Sequence, residues 1–363
     1  MKILCVIDNL GSGGAQRQIV NLALSFKDRG HNIDFLVYHS DSFYYDVLKD
    51  SDIQVIEVIE NNYLKRILKM RKVIRNGKYD AVLSFLEAAS FISTLSGFPY
   101  RKWKLVVGER SANPNILKSF KLKMYRWFHL FASSVVANSY ENIKMVKDIN
   151  PLISKEKLHV IYNLIDFNKW QFNKDHYIYR KNGKFNLTVV ASHQYLKNLN
   201  GLVEAIHLLD ATYKDQILIN WYGGTSKDDS REKAFRKIQA YGLEKNFIFH
   251  EPTLEIASRV NEADALGLFS FYEGLPNVVC EAMVMQKPII CSDVSDIKLL
   301  IDQKYVFDPY NSNDISEKIK LLIDSRGDDL YVIGQKNKEM ALEVFDKNQI
   351  VSKYLNLLSR DLD

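Results

Sequence analysis

Two glutamates, Glu273 and Glu281, stand eight positions apart in the last third of the chain. The apolar run at residues 263–270 predicts a buried strand before them, and Pro276 suits the first turn of a helix, where its missing N–H would be unpaired anyway. A helix start offers free N–H groups to a phosphate, while carboxylates accept hydrogen bonds from sugar hydroxyls. The pattern therefore favours a nucleotide-sugar site, although the spacing alone also fits solvated charges at a helix start.

The residues around the two glutamates carry a resemblance. Glu273-Gly274-Leu275-Pro276-Asn277, with Glu281-Ala282-Met283 and the strand-like Lys287-Pro288-Ile289-Ile290, resembles the E-x7-E signature of retaining family 4 glycosyltransferases. The resemblance implies an α/β fold of the GT-B type, with two Rossmann-like domains whose parallel sheets face each other across a cleft. It implies that Glu273 is catalytic and lies against the donor sugar, and that Glu281 holds the ribose. Leu275, Pro276 and Asn277 are implied to bind the donor.

A glycine-rich loop follows the first predicted strand, residues 1–7, and precedes a helical pattern. The glycines do not form the G-x-G-x-x-G dinucleotide pattern, and no P-loop pattern occurs. Gly13-Gly14-Ala15-Gln16-Arg17 is similar to the Gly-Gly-Ala-Glu-Arg loop of the family, with Gln16 where glutamate is usual. The resemblance implies that Gly13 and Gly14 bind the donor, and a tight turn is the alternative.

A second strand-loop-helix segment begins at residues 185–191. Its loop, Ser192 to Asn198, resembles the family's Gly-Arg-x-x-x-x-Lys-Asn, in which arginine and lysine clamp the diphosphate. Lys197 and Asn198 are therefore implied to bind the donor. Ser192 occupies the arginine position, so either another cation supplies the second charge or the donor binds differently. A lost charge-assisted contact costs roughly 1.5 to 3 kcal/mol.

Two further loops follow predicted strands. After residues 247–249, the resemblance points to Pro252 and Thr253 as main-chain contacts of the nucleobase, while His250 is either a ligand or a hydrogen-bonded structural residue. After residues 105–108, Glu109 and Arg110 resemble a Glu-Arg variant of the family. They are implied to bind acceptor or donor phosphate, with Arg110 as a catalytic residue, and a surface ion pair is the alternative.

The length of 363 residues, with 47% hydrophobic and 26% charged residues, predicts two globular domains. We expect an N-terminal acceptor-binding domain at 1–165 and a nucleotide-sugar domain at 166–345. The resemblance implies that the terminal helix, 346–363, crosses back to the N-terminal domain. Residues 170–183 lack a clear period and are interpreted as a linker.

No metal or cofactor is expected. The three cysteines, Cys5, Cys280 and Cys291, have no metal-like spacing and indicate a reducing compartment. Of two Asp-x-Asp pairs, 50–52 is interpreted as a turn and 361–363 as the tail. The apolar start is too short for a signal peptide, and no run of about 18 apolar residues occurs. We therefore predict a cytoplasmic protein.

Charge is concentrated in the first half. The chain has a net charge of +5, whereas residues 1–163 hold 24 lysines and arginines against 15 acidic residues, a net of +9. The basic residues form two groups: Lys65, Arg66, Lys69, Arg71, Lys72, Arg75 and Lys78; and Lys118, Lys121, Lys123 and Arg126, interleaved with Phe120, Tyr125, Trp127 and Phe128. Such a pattern suits either an anionic membrane surface or a solvated helix whose aromatics face the core. No nucleic-acid-binding signature accompanies it.

Together with the resemblance, these observations predict a retaining, metal-independent glycosyltransferase in the cytoplasm, with peripheral attachment to the inner face of the plasma membrane as one of the two alternatives for its basic surface. The expected donor is a UDP-sugar carrying a hexose or N-acetylhexosamine, and the expected acceptor is a glycan, with a lipid-linked saccharide favoured. Two alternatives remain: a UDP-sugar 2-epimerase of related fold, and a catalytically silent partner subunit that binds sugar nucleotides.

Overall fold

The computed structural model describes residues 1–111, 113–225 and 228–359. The chain forms two compact units, the first made of Met1–Leu164 and the chain from Phe345 on, and the second of Ile165–Val344. The boundaries thus fall after residues 164 and 344, where the sequence placed them after 165 and 345. The Asp-x-Asp pair at 361–363 lies outside the described residues.

The first unit is built on a seven-stranded parallel sheet with strand order β3-β2-β1-β4-β5-β6-β7. Its strands are β1 Lys2–Val6, β2 Asn32–Val37, β3 Gln54–Glu57, β4 Ala81–Phe85, β5 Lys104–Glu109, β6 Ser134–Ala137 and β7 Leu158–Val160. Its first six helices are α1 Gly14–Asp28, α2 Tyr45–Asp50, α3 Tyr63–Asn76, α4 Glu87–Ser96, α5 Phe120–Trp127 and α6 Tyr140–Ile149.

Strand β1 explains why the opening of the chain is continuously apolar. It pairs with β2 on one side and β4 on the other, so that Ile3 lies opposite Ile33 and Ala81. Ile3 and Cys5 belong to one hydrophobic core, and Leu4 belongs to a second core on the opposite face. A parallel strand covered on both faces needs apolar residues at every position.

The second unit is built on a six-stranded parallel sheet with strand order β10-β9-β8-β11-β12-β13. Its strands are β8 Phe185–Val190, β9 Ile217–Tyr222, β10 Phe247–His250, β11 Ala265–Leu268, β12 Ile289–Ser292 and β13 Val306–Phe307. Its helices are α7 Leu199–His207, α8 Ala211–Gln216, α9 Ser230–Ala240, α10 Ile256–Glu262, α11 Asn277–Val284, α12 Ser312–Asp324 and α13 Gly327–Val344. The predicted α/β class with two parallel sheets is confirmed.

The last described helix, α14 (Lys347–Leu358), returns to the first unit. It packs on β4, β5 and α1. Ile350, Val351 and Tyr354 are buried in the same core as Ile3. The first unit is therefore completed by residues that follow the whole second unit in the sequence.

The segment predicted as a linker, residues 170–183, packs closely on the second unit. Its anchor is Lys287, which is buried and donates hydrogen bonds to the carbonyls of Asn261 at 2.5 Å and Ala263 at 2.9 Å. The ammonium group also lies 4.0 Å from the ring centroid of Tyr177. Burial lowers the pKa of Lys287 to about 7. The segment lacks a period because it follows the surface of the unit as irregular chain and short 3-10 turns.

Candidate functional site

The loop after β11 brings Glu273 against Lys197. Lys197 Nζ donates a 2.6 Å hydrogen bond to Glu273 Oε1, and the Ser270 hydroxyl donates to the same oxygen at 2.7 Å. Both bonds end on Oε1, so Oε2 has no hydrogen-bond partner among the described residues. The side chains of Lys197 and Glu273 are only 21% and 17% exposed. Two residues that the sequence assigned to one site are thus in direct contact at the carboxyl ends of β8 and β11.

A short turn, Tyr195–Lys197, places the lysine at this edge of the sheet. Asn198 follows in the left-handed region with φ of 56°, and its side chain accepts a hydrogen bond from Gly201 N at the start of α7. The Asn198 amide nitrogen donates to the Pro309 carbonyl at 2.8 Å. Asn198 N also donates to the Tyr195 carbonyl at 3.0 Å, and the Asn198 carbonyl accepts from Leu202 N at 3.2 Å, so both the side chain and the main chain of Asn198 are used in the fold.

Helix α11 places the second glutamate. Pro276 is the residue that caps the helix rather than part of its first turn, and its carbonyl accepts from Val279 N at 3.1 Å. Pro276 provides no side-chain hydrogen bond to the helix start, which suits an anion as partner. Leu275 and Glu281 are buried, and Asn277 is half-buried at the first helical position. The loop and helix thus present Glu273 and Glu281 as the sequence predicted, one before and one within the helix.

The loops after β8 and β9 are locked together beside Ser192. A Cβ on Gly223 would lie 1.9 Å from the Ala191 carbonyl oxygen, so only glycine allows this approach. His193 N donates to the Gly224 carbonyl at 3.0 Å, and His193 Nδ1 lies 3.1 Å from the same oxygen. Ser192 therefore sits where the main chains of two loops meet, and it brings no charge.

A cation that the sequence did not single out lies nearby. Arg231, in the first turn of α9, donates to the Thr225 hydroxyl at 3.2 Å, and its guanidinium lies 4.9 Å from the Phe235 ring centroid. Its Nε is buried and has no hydrogen-bond partner among the described residues. Burial lowers the pKa of His193, and the positive charge of Arg231 lowers it further. Because Arg231 and Ser192 are far apart in the sequence, the sequence alone did not show that they lie near each other.

The loop after β10 carries the residues assigned to the nucleobase. Pro252 is exposed, and the Thr253 hydroxyl accepts a hydrogen bond from Glu255 N at 3.1 Å. His250 Nε2 lies 3.1 Å from Asn220 Oδ1, and the ring stacks on Tyr222 with centroids 4.2 Å apart. This placement fits the hydrogen-bonded structural alternative for His250.

In the first unit, Gly13 caps α1 and Gly14 is its first residue. The amide nitrogen of Gln16 donates to Asp8 Oδ1 at 2.9 Å. Glutamate in place of Gln16 could not donate this bond when ionised and would repel Asp8. The neighbouring carboxylate thus explains why an amide stands at this position, and the loop keeps its backbone geometry.

Arg110 follows β5 and is held within the first unit. Its guanidinium donates to Asn163 Oδ1 at 3.0 Å and to the Tyr354 hydroxyl, and it lies 4.0 Å from the Phe85 ring centroid. Its Nε is buried without a hydrogen-bond partner in the described part of the chain. Arg110 thus joins β5, the segment after β7 and α14, and the guanidinium predicted to be catalytic also has a structural role.

Two family models match successive parts of this chain. The model described as Glycosyltransferase Family 4 matches residues 12–169, and the model described as Glycosyl transferases group 1 matches residues 171–340. The chain belongs to the family 4 glycosyltransferases.

Relatives and solved structures agree with this assignment. The chain is 23% identical over 304 residues to the Campylobacter jejuni α-1,4-N-acetyl-D-galactosaminyltransferase named for GalNAc-α-(1→4)-GalNAc-α-(1→3)-diNAcBac-PP-undecaprenol, which covers 79% of this chain and 77% of that protein. It is 27% identical over 169 residues to a Staphylococcus aureus poly(ribitol-phosphate) α-N-acetylglucosaminyltransferase, covering 45% of this chain and 33% of that protein. The crystal structure of Anabaena HepE with UDP and glucose superposes with a TM-score of 0.86 at 19% identity, covering 99% of both chains. The predicted GT-B fold is confirmed.

In this family 4 glycosyltransferase, Glu109 does not form the surface ion pair with Arg110 that the sequence left open. Glu109 is buried and binds Arg126 of α5 at 2.7 Å, with His129 Nε2 at 3.6 Å. Burial would raise the pKa of the Glu109 carboxyl, but Arg126 and His129 hold it below its usual range. Glu109 therefore anchors α5 from inside the unit.

Part of the basic surface predicted for a membrane is consequently internal. Arg126 is fully buried and its charge is paired with Glu109, so the expectation that it is exposed, whether to lipid or to water, is wrong. Arg71 and Arg75 of α3 donate to main-chain carbonyls at and beyond the end of α4. The part of the second group that remains at the surface, which we call the basic-aromatic surface, consists of Lys118, Phe120, Lys121, Lys123 and Trp127.

The basic-aromatic surface is open to solvent at its apolar members. Phe120 is 84% exposed and Trp127 is 43% exposed, whereas Tyr125 of the same helix is buried. An exposed phenylalanine flanked by lysines is typical of a helix that rests on an anionic interface. Within the described residues, no helix is long and apolar enough to cross a membrane.

The Asp-x-Asp pair at 50–52 ends α2 and turns toward β3. Asp52 adopts a positive φ of 52° and pairs with Lys27 at 3.2 Å. Across residues 1–111, 113–225 and 228–359, no group of three or more histidine, cysteine or acidic side chains is arranged to hold a metal ion. The turn predicted at 50–52 is therefore observed, and metal independence stays a prediction.

Proposed function

We propose that this chain transfers a hexose or N-acetylhexosamine, with retention of anomeric configuration and without a metal, from a UDP-sugar to a glycan acceptor. The observation that carries the proposal is the Lys197–Glu273 contact beside the start of α11 and Glu281. It joins a cation for the diphosphate, a carboxylate for the sugar and a buried carboxylate for the ribose. UDP as the nucleotide is supported by the HepE complexes with UDP and with UDP-glucose.

In this proposal Lys197 exchanges one anionic partner, Glu273, for another, the diphosphate of the donor. Without donor it is held by Glu273 at 2.6 Å, and a bound diphosphate offers it a more highly charged partner. The exchange would free Glu273 Oε1 to accept from a sugar hydroxyl. Binding the donor and preparing the carboxylate would thus be a single event.

The reaction needs only the donor and the acceptor hydroxyl. The bond from the anomeric carbon to the phosphate oxygen breaks, and the bond to the acceptor oxygen forms on the same face. The acceptor proton passes to the leaving phosphate oxygen. Lys197 and the N-terminus of α11 would stabilise the negative charge that develops on the diphosphate, so no metal is required.

Arg231 would supply the charge that Ser192 lacks. Its buried Nε without a partner, next to the loop of His193, supports this assignment. We expect Arg231→Ala to weaken UDP binding about tenfold or more, the cost of one charge-assisted hydrogen bond. Arg326→Ala, at an exposed arginine of the same unit away from these loops, is the matched control and should bind UDP as the parent does. Equal UDP affinity of the Arg231 variant and the parent would refute this role.

The acceptor is proposed to be a saccharide of the cell surface, and a lipid-linked one first of all. The support is that the Campylobacter relative is named for an undecaprenol-linked glycan and the Staphylococcus relative for a wall polymer. The basic-aromatic surface supports peripheral attachment to the cytoplasmic face of the membrane. The donor sugar and the linkage are to be determined by experiment.

A thermal-shift screen with UDP, GDP, ADP and TDP sugars is the first test. A nucleotide sugar at 100 times its dissociation constant should stabilise the fold by about 2.7 kcal/mol. The donor that stabilises is then incubated with lipid diphosphate-linked saccharides, with and without EDTA, and the anomer of the product is read by NMR. Transfer that requires Mn²⁺ or Mg²⁺, or an inverted anomer, would contradict the mechanism.

The same screen separates the alternatives. An epimerase would convert the UDP-sugar to its 2-epimer without an acceptor, which NMR of the donor alone detects. A silent partner subunit would bind a nucleotide sugar but transfer nothing to any acceptor. Either result would overturn the proposed transfer while leaving the family assignment intact.

A further inference from the structure

Three aromatic rings from three different loops pack side by side at the carboxyl edge of the second sheet, two of them stacked and the third tilted by 35°. Tyr195 follows β8, Phe271 follows β11 and Tyr310 follows β13. The ring centroids of Tyr195 and Phe271 are 5.1 Å apart, and those of Phe271 and Tyr310 are 4.8 Å apart with planes 20° from parallel. The two outer rings remain 66% and 72% exposed. We call this group the aromatic platform.

Hydrogen bonds of the main chain hold each ring of the platform in place. Tyr195 N donates to Asp228 Oδ2 at 2.9 Å, Phe271 N donates to the Leu196 carbonyl at 2.9 Å, and Tyr310 N donates to Asp308 Oδ1 at 2.9 Å. A surface fixed before binding loses little conformational entropy when a ligand arrives. The platform is therefore built for contact rather than left exposed by a loose loop.

Two hollows that contain polar side chains adjoin the platform. The hollow beside Tyr195 has a volume of about 490 Å³, and the hollow beside Tyr310 has a volume of about 540 Å³. Phe271 lines both. The first is lined by Asn200, Asp229 and Lys233 among others, and the second by Asp293, Lys298 and Gln303 among others. Amide, carboxylate and ammonium groups thus surround the ring faces.

This combination selects a neutral sugar as the occupant. The C–H face of a pyranose ring packs on an aromatic face, while its hydroxyl groups both donate and accept hydrogen bonds at the rim. An anionic lipid surface would meet Asp293, Asp308 and Asp314 on the side of Tyr310. A protein partner would need a broader apolar patch than these rings provide.

The platform also adjoins the candidate transfer site. Tyr195 precedes Lys197 by two residues, and Phe271 precedes Glu273 by two residues. We propose that the aromatic platform is a subsite for a pyranose unit of the glycan acceptor. Calling the glycan an acceptor rests on the proposed function, whereas the affinity of the platform for a sugar ring does not.

The test measures binding of chitotetraose and maltotetraose, two neutral oligosaccharides, by saturation-transfer NMR and titration calorimetry. The variants are Tyr195→Ala and Tyr310→Ala, each compared with Tyr195→Phe and Tyr310→Phe, which keep the ring. Tyr100→Ala is the matched control, because Tyr100 is 64% exposed and lies in the first unit. UDP binding is measured on every variant.

We expect the parent to bind at least one oligosaccharide, and each alanine variant to bind it about two- to tenfold more weakly, with phenylalanine restoring affinity. UDP affinity and the Tyr100 variant should match the parent. Failure of the parent to bind either sugar, or unchanged binding by both alanine variants, would overturn the proposal. Binding to lipid vesicles that is lost in the Tyr195→Ala or Tyr310→Ala variant would also overturn the proposal. If sugar binding depends on the platform but no nucleotide sugar stabilises the protein, the subsite stands and the proposed function falls.

Discussion

Replacing Glu273 by glutamine tests the role of the carboxylate separately from that of the diphosphate, the two groups that Lys197 is proposed to bind. The amide keeps the shape and can still accept the hydrogen bonds of Lys197 and Ser270, but it removes the negative charge. If Glu273 acts on the donor sugar, transfer should fall by about 10²- to 10³-fold, the usual cost of losing one group that stabilises the transition state.

The affinity of the variant for UDP, in contrast to its transfer rate, should rise or stay unchanged. The parent must give up a 2.6 Å contact between side chains that are 21% and 17% exposed before Lys197 can turn to the diphosphate. For a partly exposed pair this contact is worth about 1 kcal/mol, between the values for a surface ion pair and a charge-assisted hydrogen bond. The variant should therefore bind UDP with unchanged affinity or up to about fivefold more tightly.

Calorimetry gives the UDP affinity, and release of UDP in the presence of acceptor gives the transfer rate. Glu339→Gln is the matched control, because Glu339 is an exposed carboxylate on α13 of the same unit, outside the loops assigned to the donor. A Glu273 variant that transfers within threefold of the parent, or that binds UDP more than tenfold worse, would refute the reasoning.

Three other outcomes are expected. Glu281→Ala should weaken UDP binding by roughly 1.5 to 3 kcal/mol, since a buried acceptor of the ribose hydroxyls is lost, and equal affinity in calorimetry would contradict that role. Replacing Lys118, Lys121 and Lys123 by glutamine should abolish sedimentation with phosphatidylglycerol vesicles and leave UDP binding unchanged. If the parent does not bind these vesicles, or if the variant still sediments with them, the helix is a solvated one. Because the pKa of Lys287 is lowered to about 7 and an unfolded lysine titrates near 10.4, the unfolded chain binds more protons between these values. Stability in denaturant should thus rise from pH 7 to 9 by at most about 1.4 kcal/mol per unit, and Lys287→Met should flatten the slope.

The fold was largely predictable because its signals are local. Apolar-rich runs located β1, predicted at residues 1–7, and β8, predicted from residues 185–191, to within a residue at each end, since strands buried on both faces need such runs. The loop position of Glu273 and the helical position of Glu281 followed from the residues between them. That Lys197 and Glu273 belong to one site was implied by the resemblance of the Ser192 to Asn198 loop to that of the family, and the two side chains are in contact.

What the sequence did not reveal depends on contacts between distant residues. Arg126 looked like part of an exposed basic face because its partner, Glu109, is 17 residues away on another element. Arg231 carried no local motif, and its neighbourhood to His193 arises only when β8 and β9 pair. The aromatic platform joins three loops spread over more than a hundred residues, so no spacing rule could detect it.

The return of α14 has a consequence for synthesis. The first unit needs Tyr354 and its neighbours to cover β4 and β5, yet a ribosome adds them only after the whole stretch from Ile165 to Val344. The sheet of the first unit therefore stays incompletely covered while the second unit is synthesised and folds. Arg110 can acquire its Tyr354 contact only after the second unit has been synthesised, so α14 closes the first unit late.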